Sequence, residues 1–354
     1  MSPDHFSRTT QNVDYSSHFH PKLLLLIIFT VTTGILFGQD IHYSLFNNSP
    51  LYLNPALTGH FEGDWRVGIN YRNQWSSVAI PYKTTSANFD KQFYVYNRHI
   101  SAGAFFINDL SGDAALQVNK LYVSGSYHTT VNTQNIHIGI QLGYVMKKVD
   151  YASLTFPDQF DMNSGSYNSG LPTGENNAGE HIGYVDINTG VAWNTKTGIF
   201  EPEAGMALYH INSPNESFFG ADSRQPMRMV LHSKVKVLMG DTWYLEPGFL
   251  FMTQRKVNDL MAGANAGLKI PGHPYSIRSV FTGLYLRHGF GLNTESVVVK
   301  AGIARRNLDV VIGYDINISP LSVASNNRGA FEIALIYKSI STILNSYSIP
   351  CDRF

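Results

Sequence analysis

Cysteine is almost absent from this 354-residue chain: Cys351, three residues before the end, is the only one. Neither an internal disulfide framework nor a cysteine-based metal cluster can be built from it. Charge of one sign is not in excess either. Twenty-six Lys and Arg balance twenty-six Asp and Glu, and charged residues make up only 15% of the chain. That balance argues against a nucleic-acid partner and gives no sign of a binder of anionic surfaces. Only one long apolar run occurs, LLLLIIFTVTTGILF at 23–37, and it falls short of the roughly 20 residues a membrane helix needs. The thirteen histidines are scattered, and the sequence contains no HExxH, GxSxG or Walker loop. No enzymatic activity, cofactor or metal is expected.

What the chain does have is glycine (30), tyrosine (20), phenylalanine (21) and a persistent alternation of apolar and polar residues. In LDVVIGYDINI at 308–318, the residues Leu308, Val310, Ile312, Tyr314, Ile316 and Ile318 share one face of an extended strand, and Asp309, Gly313, Asp315 and Asn317 share the other. Runs of this kind recur at 65–75, 82–93, 99–108, 116–130, 136–149, 182–195 and 200–211. They continue at 227–240, 243–256, 259–270, 277–288, 296–305, 308–318 and 330–340. With only helices and closed barrels able to satisfy every backbone group in lipid, about fourteen amphipathic runs predict an all-β transmembrane antiparallel barrel. Tight turns such as 132–134 and 240–241 alternate with long polar connectors at 150–180, 212–226 and 319–328. Counting strands from a leading segment on the periplasmic, short-turn side places the 150–180 and 212–226 connectors together on the outer rim.

The basic Arg8 and Lys22, the apolar run and Gly38 read as a signal peptide over 1–38, cleaved near Gly38. The rest, 39–354, reads as one domain: a leading segment at 39–64, the barrel at 65–341 and a tail at 342–354. The leading segment is not strand-like. Pro50, Leu51, Tyr52, Leu53, Asn54, Pro55, Ala56 and Gly59 combine apolar bulk with turn-forming residues. They build either a structural turn or a plug or partner-docking surface at the barrel mouth. In the first strand Arg66, Arg72 and Gln74 share a parity. If they face the lumen, Arg72 should pair with a carboxylate, and barrel closure brings Glu332 and Lys338 of the last strand into reach as a charge network.

These same motifs resemble a known family. NSPLYLNPALTG at 48–59 followed by YRNQW at 71–75 is similar to the opening of the PorP/SprF family of type IX secretion outer-membrane proteins from Bacteroidetes. FFINDLSGDAA at 105–115, LTFPDQF at 154–160, HINSPNESFF at 210–219, Tyr314-Asp315 with Ser319-Pro320-Leu321, AFEI at 330–333 and the terminal PCDRF extend the likeness along nearly the whole mature chain. Phe331 and Asp352 depart from the family's histidine and proline. The resemblance implies an outer-membrane component, multi-pass in the lipid, that supports export or surface attachment of large proteins with a C-terminal sorting domain, gliding adhesins among them, alongside other type IX components. An outer-membrane pore or a hydrophobic-substrate channel is the alternative that the residues leave open.

Overall fold

Fourteen strands close on themselves. The computed structural model describes residues 40–341 apart from 78–79, 97, 112–115, 151–153, 175–180, 219, 221, 256, 271, 273–276, 290–293 and 321. The expected signal peptide, its cleavage point, the 342–354 tail and Cys351 lie outside the described residues. From Ile41 on, the chain forms one compact unit. Its barrel strands are β1 (Trp65–Gln74), β2 (Tyr82–Val95), β3 (Arg98–Ser111), β4 (Leu116–Val131) and β5 (Gln134–Lys148). After a two-stranded ribbon in the long connector, β6 (Phe160–Asp161) with β7 (Ser166–Tyr167), come β8 (His181–Thr195), β9 (Phe200–Tyr209), β10 (Arg228–Met239) and β11 (Trp243–Gln254). The barrel ends with β12 (Val257–Lys269), β13 (Ile277–His288), β14 (Thr294–Arg305), β15 (Leu308–Asn317) and β16 (Arg328–Lys338).

Every barrel strand pairs antiparallel with its sequence neighbour, and β16 returns to β1 to close the ring. The strand boundaries follow the alternation in the sequence to within three residues. Strand β5 shows why the pattern folds this way. Ile138, Ile140, Leu142 and Tyr144 are about half exposed on the outside, while His137, Gly139, Gln141, Gly143 and Val145 are buried inside. A stripe of that kind in water would be unstable; facing lipid, it is the surface a membrane barrel requires. Aromatic rings mark both ends of the wall: Trp65 lies 5.3 Å from Tyr337 at one rim, and Trp75 meets Tyr82 edge-on at 5.4 Å at the other.

Short turns, with residues such as Asn132 at φ 56° and Gly240 at φ 68°, lie at the rim where β1 begins. The connectors after β5, β9 and β15 lie at the opposite rim. In outer-membrane barrels short turns mark the periplasmic rim and long loops the exterior one, which supplies names for the two rims here. They are called the inner and outer rims below.

Candidate functional site

The stretch 41–61 does not stay at the inner rim. It runs through the interior of the ring, so the expectation of a periplasmic leading segment is corrected: only its last residues lie there. Three single turns give it shape, Phe46–Asn48, Pro50–Leu53 and Pro55–Leu57. Proline opens the second and third, where its fixed φ suits the turn and its missing N–H has no bond to lose. Tyr43, Leu45, Leu51, Ala56 and Leu57 are buried, and so are the polar Ser44, Ser49, Asn54 and Thr58.

At the outer end the contacts are ionic. Ser44 and Leu45 donate their backbone N–H groups to the two carboxylate oxygens of Glu332, at 2.8 and 3.1 Å. The Ser44 hydroxyl donates to Asp315 at 2.7 Å and accepts from Arg72 at 2.7 Å and from Arg287 at 3.2 Å. Arg72 bridges Glu332 at 3.0 Å and Asp315 at 2.9 Å, and Arg287 reaches Asp315 at 3.2 Å. Strand register creates this group, because Arg72 on β1 sits opposite Glu332 on β16. Lys338 does not join it. Six positions along β16, it lies opposite Arg66 and pairs with Asp309 at 2.6 Å.

Midway, the contacts are apolar. Leu51 packs among Phe105, Ile107, Val118, Tyr122 and Val145. Phe46 meets Tyr285 edge-on at 6.0 Å, and the Lys300 ammonium lies over both rings, at 4.8 and 3.8 Å. Tyr52 takes a hydrogen bond from Arg228 at 2.8 Å on its hydroxyl and one from Tyr209 at 2.6 Å on its carbonyl.

Toward the inner rim the fit is steric. Asn54 donates from Nδ2 to the carbonyls of Val191 at 2.9 Å and Met206 at 3.3 Å, while its Oδ1 accepts from Ala56 N at 2.9 Å. It fits only because the wall is bare beside it. A Cβ on Gly190 would stand 2.0 Å from Asn54 Oδ1, one on Gly205 2.8 Å from Nδ2, and one on Gly139 2.3 Å from the Pro55 carbonyl carbon. Three inward-facing glycines thus form a notch for Asn54-Pro55-Ala56. Lower still, Gly59, at φ 73°, donates its N–H to Asp90 at 2.7 Å. Arg66 grips the same carboxylate through two nitrogens, at 3.0 and 2.6 Å, and also reaches the Leu57 carbonyl. Ser126 donates to the Thr58 carbonyl at 2.5 Å, beside a row of histidine rings in which His128 lies tilted against His99 and edge-on to His137.

The connector after β9 folds inward across the outer mouth. His210, at φ 58°, turns the chain in, and its ring lies 2.9 Å from Asp186. Glu216 accepts from Lys147 at 2.5 Å and from Tyr184 at 3.2 Å.

Reading the sequence alone missed Ser44, Asp90, Arg287 and Asp315. Their signal was inward parity on a strand for the three charged residues; which partners they meet depends on register between distant strands. The lumen segment at 48–59 and the inward-turning connector at 210–219 coincide with two of the motifs that carry the family resemblance. A match to the family described as type IX secretion system membrane protein PorP/SprF spans residues 35–337. The chain belongs to that family.

No curated protein matches this PorP/SprF chain. Among solved structures it is similar to the toluene transporter TodX of P. putida, at 10% identity over 84% of this chain and 95% of that one, with a TM-score of 0.48. A second is the toluene transporter TbuX of Ralstonia pickettii, at 10% identity over 82% and 94%, with a TM-score of 0.46. Likeness at this level says nothing of what the PorP/SprF barrel carries.

Proposed function

We infer that this PorP/SprF barrel serves type IX secretion by docking large secreted proteins at the outer membrane, through protein–protein contact and with its own lumen closed. The clients are proteins that carry a C-terminal sorting domain, with gliding adhesins as one class, and the barrel acts beside other type IX components. A closed barrel in a secretion membrane family points to the outer membrane, which the chain reaches after cleavage near Gly38. Chemistry of its own is no part of the reading.

The observation that carries it is the filled lumen. Pro50, Leu51, Tyr52, Leu53, Asn54, Pro55, Ala56 and Gly59 lie inside the ring, tied to its wall over most of their length. Passive diffusion needs a continuous aqueous or greasy path, and this segment stands in it. A protein whose pore is filled by its own chain has its rims left for use, and the outer rim holds the longest connectors.

Deleting 49–59 tests the reading, because the fourteen strands pair without that segment. Heat-modifiable migration should persist, and labelling of intact cells with an impermeant reagent should show loss of the client from the surface. A folded deletion protein that presents its client at the normal level would refute it.

A further inference from the structure

The barrel wall has a step at its outer rim. Strand β8 pairs with β5 along all of its length, from His181 opposite Lys148 to Thr195 opposite Gln134. On its other side it pairs with β9 only from Thr189 to Asn194. The cause is His210, whose left-handed backbone turns β9 away into the lumen just after Tyr209. Eight residues of β8, 181–188, therefore have no β9 residue paired with them, about 26 Å of strand at roughly 3.3 Å per residue.

Part of this free edge is capped by an imitation of a strand. Ile211 N donates to the Ile187 carbonyl at 3.0 Å. The Asn212 side-chain amide then does what backbone would do: its Nδ2 donates to the Val185 carbonyl at 2.7 Å, and its Oδ1 accepts from Ile187 N at 3.1 Å. Since Ile187 faces away from β5, the antiparallel alternation makes Val185 and Gly183 face away as well. Beyond Asn212 no strand among the described residues lies beside them, and both are exposed. A sheet edge is ordinarily blunted by charge, proline or a bulge; here it presents a bare glycine and a valine. Outward-facing Tyr144 and Met146, on the adjacent strand, give it an apolar flank.

We propose that the β8 edge at Gly183–Val185 is a strand-addition site for an extended segment of the secreted client. It rests on the docking function inferred above and supplies its mode of contact. The edge N–H and C=O groups recognise extended backbone, and the apolar flank selects a segment with apolar residues at alternate positions. The end of the β9–β10 hairpin forms the floor of the step, which suits one peptide strand rather than the full wall of a second barrel. The Asn212 amide holds two ladder positions that an incoming strand would take over.

The test uses the full-length barrel purified from its own cells with whatever client travels with it. Hydrogen exchange over 181–187 should slow at least tenfold in the client-bound form relative to the barrel alone. Val185→Pro removes an N–H that has no ladder partner among the described residues, so folding should survive while co-purified client falls at least tenfold. Val185→Thr, which keeps the N–H, should retain the client. Normal client recovery with Val185→Pro, or no slowing of exchange at 181–187 in the client complex, would overturn strand addition and leave the docking function standing. Protection that tracks barrel dimerisation without client would overturn it in favour of self-association. Wild-type barrel that brings no client with it would count against the docking function itself.

Discussion

The outer and inner halves of the lumen hold the same segment by different physics. Outside, Arg72, Arg287, Asp315 and Glu332 converge on Ser44, which contributes no charge of its own. Inside, Asn54-Pro55-Ala56 is held by the absence of side chains at Gly139, Gly190 and Gly205 and by hydrogen bonds to wall carbonyls. Charges buried together are sensitive to the loss of any one member, because the remaining ions lose their compensation. A shape-matched notch is sensitive to added volume, because nothing in it can move aside cheaply. One lumen thus carries an electrostatic anchor and a steric one, in series along a single strand of chain.

Breaking the electrostatic anchor should have the largest effect. Arg72→Ala leaves Glu332 and Asp315 without their principal cation and should cost about 3–5 kcal/mol. Urea unfolding of the barrel in detergent, followed by gel mobility, would measure it. Arg72→Met together with Glu332→Gln should recover part of that loss, since Asp315 keeps its ion pair with Arg287 and no carboxylate is left uncompensated. A guanidinium on the other side of the wall sharpens the contrast. Ile312→Arg, on the exposed face of β15, should cost about 2–4 kcal/mol near mid-bilayer, seen as reduced insertion into lipid vesicles. The neighbouring inward Asn317→Ser should insert normally.

The steric anchor should yield less to a deletion. Asn54→Ala removes a side chain that satisfies three backbone groups and should cost about 1–3 kcal/mol, measured by the same unfolding assay. Added volume should act differently: Gly190→Val should expel the segment while leaving the wall intact, so 41–61 becomes protease-sensitive without loss of heat-modifiable migration. Smallest of all is Lys338→Ala. Its partner is Asp309, a third of the lysine side chain is exposed, and a pair of that kind contributes at most about 1 kcal/mol.

Much of this was legible in the chain because strand alternation has a period of two and leaves little freedom. In β15, the outward set of Leu308 to Ile316 could be read directly, and so could the inward position of Asn317. Arg72 with Glu332 was also legible, since closure of an antiparallel barrel must set the first strand beside the last. Lys338 was grouped with them for the same reason, and wrongly: adjacency of two strands does not fix which residues stand level, and register puts Arg66 opposite it. The notch was not legible at all. Gly139, Gly190 and Gly205 lie on three different strands, each an ordinary barrel glycine until Asn54 is placed among them. Nor could the composition of the leading segment say how far it travels. Its leucines and tyrosines required burial somewhere, and only the positions of Ser44 and Gly59 at opposite ends of the ring show that it threads the lumen.

Planar-bilayer recording of the purified full-length barrel tests that threading most directly. If 41–61 fills the lumen, the intact protein shows no steady conductance, and removal of those residues produces discrete, long-lived open steps. A steady conductance of equal size in the intact and deleted proteins would contradict it.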